Sequence, residues 1–233
     1  MSGQRGHRTR AKRENVLSIT KQQLAELPEV KYPGKVILVD SASRCRSALT
    51  YLNRVGQVGF DTETRPSFQK FRHYNVSLVQ ISAGDECFLF RLKQIGAIDG
   101  LLKFLENPDV QKIGLSLKDD FHSLARLQEF NPQGFVELQS FVKNWEIADN
   151  SLQKIYGIIF GQRISKNQRL TNWEAQELTE HQQLYAAIDA WACQRIYNHL
   201  QAGMFSPADS PYILVEEQDL TDTVATDGKQ HTR

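Results

Sequence analysis

Apolar positions along this chain fall in short runs whose spacing alternates between the strand period of two and the helix period of 3.6. Val36-Ile37-Leu38-Val39 reads as a strand, and Asp40 to Ser43 supply cap residues for a helix running to about Asn53. Val58-Gly59-Phe60 opens another strand that continues through Asp61-Thr62-Glu63. Residues 64–75, with Pro66 and many polar side chains, predict a loop. Val76 to Ser82 and Glu86 to Phe90 predict two strands joined in a hairpin at Gly84-Asp85. A helix from about Ala97 to Glu106 stops before Asn107-Pro108, and Val110 to Leu115 is a further strand. Val136 to Leu138 reads as a short strand and Ser151 to Gly161 as a helix, while Val16 to Leu27 carries a weak helical pattern closed by Pro28. The strongest helix spans Thr179 to about Leu200: Thr179 and Gln182 have capping-box spacing, and Leu184, Ile188, Trp191 and Ile196 form its apolar face.

Strand, helix, three strands, helix and strand in that order imply an α/β fold with a mixed sheet and helices on its faces. No internal repeat or second domain is visible, so residues 16–202 are read as one domain. Residues 1–15 carry Arg5, Arg8, Arg10, Lys12 and Arg13 and little to bury. They read as a solvated arm, with a weak nucleic-acid contact as the alternative. Residues 203–233, with Pro207, Pro211 and the acidic Glu216, Glu217 and Asp219, read as a disordered tail or one strapped down through Tyr212, Ile213 and Leu214.

Bulk composition narrows this only modestly. A chain of 233 residues with 40% apolar content can bury one substantial core. The net charge of +1 argues neither for nor against a polyanionic partner, so any basic surface must be local. Cys45, Cys87 and Cys193 lie far apart with no C-x-x-C pair, which disfavours a zinc site or a disulfide framework. With no apolar leader and no run long enough to span a bilayer, the expectation is a soluble, cytoplasmic protein without a membrane partner.

The chemistry concentrates in polar residues that interrupt these elements. Asp61 and Glu63, two apart on a strand, point to the same side. At about 4 Å their charges repel by roughly 4 kcal/mol in an effective dielectric near 20. Such a pair either splays into water or holds a divalent cation. Lys112-Ile113-Gly114-Leu115-Ser116-Leu117-Lys118-Asp119-Asp120 ends a strand and opens a helix, where either acid suits the helix N-terminus. His122 reads as a surface or packing residue. Tyr185 and Asp189, four apart, are neighbours on one helix face. The 64–75 loop interleaves Arg65, Lys70, Arg72, His73 and Tyr74 with Phe68 and Phe71. That composition suits a phosphate backbone with stacked bases, and equally a solvated loop with its aromatics folded inward.

In this order and spacing the motifs resemble the DEDDy-type 3′-5′ exonucleases, the ribonuclease D and Werner-helicase exonuclease-domain-like branch of the DEDD superfamily. The likeness runs from about Val36 to Leu200. It includes Phe60-Asp61-Thr62-Glu63, Leu78-Val79-Gln80-Ile81, Lys112 through Asp120, Asn172-Trp173, and Leu184-Tyr185-Ala186-Ala187-Ile188-Asp189. The histidine branch would place histidine at position 184, which is leucine. The resemblance implies a ribonuclease H-like single domain, a central mixed sheet with one antiparallel strand flanked by helices. It further implies that Asp61, Glu63, Asp120 and Asp189 hold two divalent ions, Mg²⁺ or Mn²⁺, and that Tyr185 orients the attacking water. Asp119 competes with Asp120 for its role, and the spacing from Gly114 and to Leu124 favours Asp120. Thr64, Arg65, Arg72 and His73 would lie near the 3′ end of the substrate strand, and Lys166, Arg169 and Trp173 would line the same groove. The expected reaction is hydrolysis of single-stranded or 3′-ended DNA or RNA from the 3′ end, releasing nucleoside 5′-monophosphates; a catalytically silent binding or scaffold domain on the same fold is the alternative. The sugar preference is not encoded in these motifs, and targeting falls to protein partners or the tails.

Overall fold

A computed structural model describes residues 16–68 and 74–214. In chain order its elements are β1 (Val16–Leu17), α1 (Lys21–Glu26), β2 (Lys35–Val39), α2 (Ala42–Leu52), β3 (Gln57–Thr64), β4 (Val76–Ala83) and β5 (Glu86–Arg91). They continue with α3 (Leu92–Ile95), α4 (Asp99–Leu105), β6 (Gln111–Gly114), α5 (Leu117–Ala125), β7 (Phe135–Glu137) and α6 (Leu138–Phe141), then α7 (Leu152–Phe160), α8 (Glu180–Gln201) and β8 (Ile213–Leu214).

Six of the strands form one sheet in the order β2-β5-β4-β3-β6-β7. β4 runs antiparallel to both its neighbours, and the remaining pairings are parallel. This is the mixed sheet with one antiparallel strand expected of a ribonuclease H-like domain. The strands obey the period of two, so each face collects its own apolar set. Val58, Phe60, Val79, Ile81, Phe88 and Phe90 pack under α2, α4 and α5 on one side. Leu78, Cys87 and Leu89 pack under α7 and α8 on the other. β4 is buried along its whole length, as befits a central strand covered on both faces.

Contact between α8 and the sheet is unusually close at one point. A Cβ on Gly59 would lie 1.9 Å from the carbonyl oxygen of Ala190, so only glycine lets β3 and α8 meet there. Small residues on α8, Ala186, Ala187, Ala190 and Cys193, complete the approach. The helix begins as the sequence predicts: the Thr179 hydroxyl accepts from the Gln182 amide N–H at 3.2 Å, and the Gln182 side chain returns to the Thr179 N–H at 3.0 Å.

Several boundaries differ from the sequence reading for physical reasons. Val16 and Leu17 do not join a helix with Lys21–Glu26. They pair antiparallel with Leu214 and Ile213, and the helix starts after a capping box at Thr20. Residues 203–214 are held on the domain through Tyr212 and Ile213, the strapped arrangement the sequence offered as one alternative for the tail. Leu92–Ile95 forms a short helix in a stretch to which the sequence assigned no element. The basic arm, Lys70 to His73 and the acidic tail from residue 215 lie outside the described residues. No helix is long and apolar enough to cross a membrane among the described residues.

Candidate active site

The pleat of β3 divides its polar residues between the two faces of the sheet. Asp61 and Glu63 face α8, and with Asp189 they place one carboxylate oxygen each within 4.8 Å of one another. Thr62 faces the other way, where its hydroxyl donates to Asp120 Oδ1 of α5 at 2.5 Å. Asp120 thus approaches the strand end from the opposite side and stands outside the three-carboxylate cluster, though its carboxyl is raised by the Asp61 charge. The register slips between Glu63 and Thr64, a bulge that ends the ladder at the site.

Asp119 and Asp120 are separated by structure. Asp119 is exposed and Asp120 part-buried against Thr62. Neither caps α5. The Glu137 carboxylate at the end of β7 does so, accepting from the Ser116 N–H at 3.1 Å and the Leu117 N–H at 2.8 Å, while Ser116 adopts φ 63°. Glu137 and Thr62 are the site-supporting residues that sequence reasoning missed. Both are unremarkable residue types whose partners come from other elements.

The electrostatics follow from crowding acids away from water. Burial raises the Asp61 carboxyl well above its ordinary range, and the Asp189 charge raises it further against a hydrogen bond from the Thr62 backbone. Burial, then Asp61, Asp189 and Asp120, push Glu63 to about 10, with Arg169 opposing. Asp120 rises to about 8 through burial and Asp61. Asp189 rises to about 7 through burial, tempered by a hydrogen bond from the Tyr185 hydroxyl and by Lys166. Tyr185 itself is raised by burial and by the Asp189, Glu63 and Asp61 charges. Its phenol is therefore an even weaker acid than usual, stays protonated at neutral pH, and suits holding a water or a carboxylate in place.

Among the described residues no salt bridge reaches any of these acids. The cluster crowds carboxyl groups that, among the described residues, only Lys166 and Arg169 oppose by charge, and it is made entirely of hard oxygen donors, the donor set that Mg²⁺ and Mn²⁺ prefer. The residues fit divalent ions on both counts.

Beyond the end of β3, a groove of about 330 Å³ is lined by Arg65, Pro66, Phe68, Tyr74, Leu170 and Asn172. Thr64 ends β3 and is part-buried. The Arg65 guanidinium lies 4.8 Å from the Tyr74 ring centroid and 3.4 Å from Glu174, which Lys93 also holds at 2.7 Å. Phe68 is 82% exposed and Leu170 is 61% exposed. Lys166 and Arg169 are exposed on the segment before Leu170 and act on Asp189 and Glu63 through their charge. Arg72 and His73 lie outside the described residues. Trp173 requires a correction: it is fully buried, its ring 6.0 Å from that of Tyr185, and it presents no face for a base. Its neighbours Asn172 and Glu174 are polar, which made the segment read as surface, but the indole turns inward and packs behind the tyrosine.

Comparison with known proteins agrees with this geometry. The 3′-5′ exonuclease family profile matches residues 36–204. The chain is 30% identical to the bifunctional 3′-5′ exonuclease/ATP-dependent helicase WRN of Mus musculus over 75% of its own length and 13% of that protein. It is 26% identical to a 3′-5′ exonuclease of Drosophila sechellia over 78% of its length and 56% of that protein. It thus spans little more than half of the one relative and a small part of the other. Among solved structures, the Nibbler EXO domain of Aedes aegypti superposes with a TM-score of 0.68 at 20% identity, covering 77% of this chain and 96% of that one. Escherichia coli RNase D superposes with a TM-score of 0.64 at 19% identity, covering 72% and 44%. At those identities the superpositions establish the fold, and the profile match over most of the chain establishes the kinship: the chain belongs to the 3′-5′ exonuclease family.

Proposed function

We propose that this protein is a metal-dependent 3′-5′ exonuclease that hydrolyses phosphodiester bonds of DNA or RNA and releases nucleoside 5′-monophosphates. The observation that carries the proposal is the convergence of Asp61, Glu63 and Asp189 within 4.8 Å, with Tyr185 one turn before Asp189 on the same helix. Asp61, Glu63, Asp120 and Asp189 would hold two divalent ions, Mg²⁺ or Mn²⁺. When bound, such ions generate a nucleophile from water at neutral pH and stabilise the leaving oxyanion.

The chain's own residues do the rest. Tyr185 positions a water beside Asp189, and its raised pKa assigns it orientation rather than proton abstraction. Thr62 holds Asp120 at the strand end from the far face of the sheet. Lys166 and Arg169 act on the acids through their charge and, with Arg65 in the adjoining groove, supply local positive charge toward a phosphate backbone, which the net charge of +1 does not. Phe68 and Leu170 offer apolar surface for a base of a single-stranded 3′ end. A Trypanosoma brucei RNase D complexed with RNA U12 shares the fold with a TM-score of 0.62, consistent with a single-stranded substrate. We assign a cytoplasmic location, supported by three cysteines that are all free and buried.

The test is degradation of 5′-end-labelled single-stranded DNA and RNA with Mg²⁺ or Mn²⁺, comparing wild type with Asp189→Ala. A ladder shortening from the 3′ end, absent in the variant and in EDTA, is the expected result and reveals the preferred sugar. Binding without a ladder on either polymer would make this a silent nucleic-acid-binding domain.

A further inference from the structure

Gln80 is fully buried in the centre of β4, yet neither its amide nitrogen nor its amide oxygen has a hydrogen-bond partner. An orphaned buried polar group costs about 1–3 kcal/mol, and here both ends of one side chain are affected. Such a residue in a strand otherwise filled with Leu78, Val79 and Ile81 calls for a physical reason.

The register supplies one. Gln80 stands directly opposite Asp61 on β3 and opposite Leu89 on β5. Leu78 and Leu89 belong to the apolar set under α8, which fixes the side of the sheet that Gln80 faces. Asp61 faces that same side, since its carboxylate meets Asp189 of α8. Directly opposite residues of an antiparallel pair have Cβ atoms about 4.5–5.5 Å apart, within reach of a glutamine amide. The small residues of α8 buried in the cluster on this face are Ala186, Ala190 and Cys193, with no strong acceptor among their side chains. The cross-strand acceptor on this face is the Asp61 carboxylate, with Glu63 one diagonal step away.

We propose that Gln80 is a positioning residue for Asp61: unpartnered in the ion-free fold, its amide N–H stands directly opposite the carboxylate and would donate to the Asp61 oxygen that faces the core once cations hold the acid, so that the remaining lone pairs point into the site. This rests on the metal-dependent reading above. The buried amide is then a cost accepted by the ion-free fold and offset when the carboxylate is held as an anion by cations.

The inference is tested by Mn²⁺ binding, read from the electron paramagnetic resonance signal of free Mn²⁺, together with melting temperature in EDTA. Gln80→Leu and the closer isostere Gln80→Met are compared with Ser82→Ala, which removes another orphaned hydroxyl from the same strand, opposite Gly59 rather than an acid. Loss of an outer-sphere partner typically weakens metal binding 10–100-fold. We expect a weakening of at least about tenfold in both Gln80 variants, with melting in EDTA unchanged or higher, and Mn²⁺ affinity unchanged in Ser82→Ala. Wild-type affinity in Gln80→Leu and Gln80→Met would overturn the proposal. So would a parallel loss of affinity and of EDTA stability in both, or an equal loss in Ser82→Ala, since either marks packing rather than positioning. Failure of the wild type itself to bind Mn²⁺ would overturn the metal-dependent reading and this proposal with it.

Discussion

Replacing Asp61 by asparagine should abolish cleavage and at the same time stabilise the metal-free protein. Oxygens of Asp61, Glu63 and Asp189 lie within 4.8 Å of one another. At that separation and an effective dielectric near 20, each charged pair repels by about 3.5 kcal/mol. Proton uptake relieves part of this, leaving a gain of about 1–3 kcal/mol for the variant at pH 8. For a domain of this size that corresponds to a melting temperature about 3–9 °C higher. The sign of the pH dependence follows from the raised carboxyls. A carboxyl held above its unfolded value binds its proton more tightly in the fold, so the stability it contributes is complete below about pH 4. That stability is lost as pH rises through about 7 for Asp189, about 8 for Asp120 and about 10 for Glu63. Wild type in EDTA should therefore melt progressively lower from pH 5 to pH 9. Asp61→Asn should melt close to wild type at pH 5 and clearly above it at pH 8. Millimolar Mn²⁺ should reverse the order by binding the folded wild type. Differential scanning fluorimetry across that pH range, with EDTA or Mn²⁺, measures all of this. A wild-type profile flat from pH 5 to pH 9, or a variant less stable at pH 8, would refute the electrostatic account, and a variant that still degrades substrate would refute the site.

The two neighbouring aspartates and the buried tryptophan give sharper tests of placement. Asp120→Asn should remove nuclease activity and Asp119→Asn should retain it within about threefold, because only Asp120 touches the strand that carries the acids; gel assays at saturating Mn²⁺ decide between them. Trp173→Ala should cost about 3–5 kcal/mol, as large-to-small core substitutions do, and lower turnover by loosening the tyrosine behind which the indole packs. Trp173→Phe should leave KM for single-stranded substrate unchanged, whereas a base-stacking tryptophan would raise it.

What could be read from the sequence was what a local period controls. The strand alternation put Asp61 and Glu63 on one side, and the helical spacing put Tyr185 beside Asp189. Partners supplied from far along the chain were not legible. Val16 and Leu17 looked helical because their strand partners, Leu214 and Ile213, lie almost the whole chain away. Trp173 looked exposed because its immediate neighbours are polar, although burial of an indole is decided by what folds over it. The cap of α5 comes from Glu137, some twenty residues after the helix begins, so nothing in the local sequence announced it.

The apolar stripe of α5 explains why Asp120, and not Asp119, meets the strand that carries the acids. With α5 starting at Leu117, the buried stripe runs through Leu117, Phe121 and Leu124, positions one and two turns apart. Asp120, three residues after Leu117, falls on the same stripe and meets Thr62. Asp119, one step earlier, is rotated about 100° away and faces solvent. The choice between the acids is therefore made by the apolar stripe that turns α5 toward the sheet, while the Glu137 carboxylate on β7 holds its first turn in place.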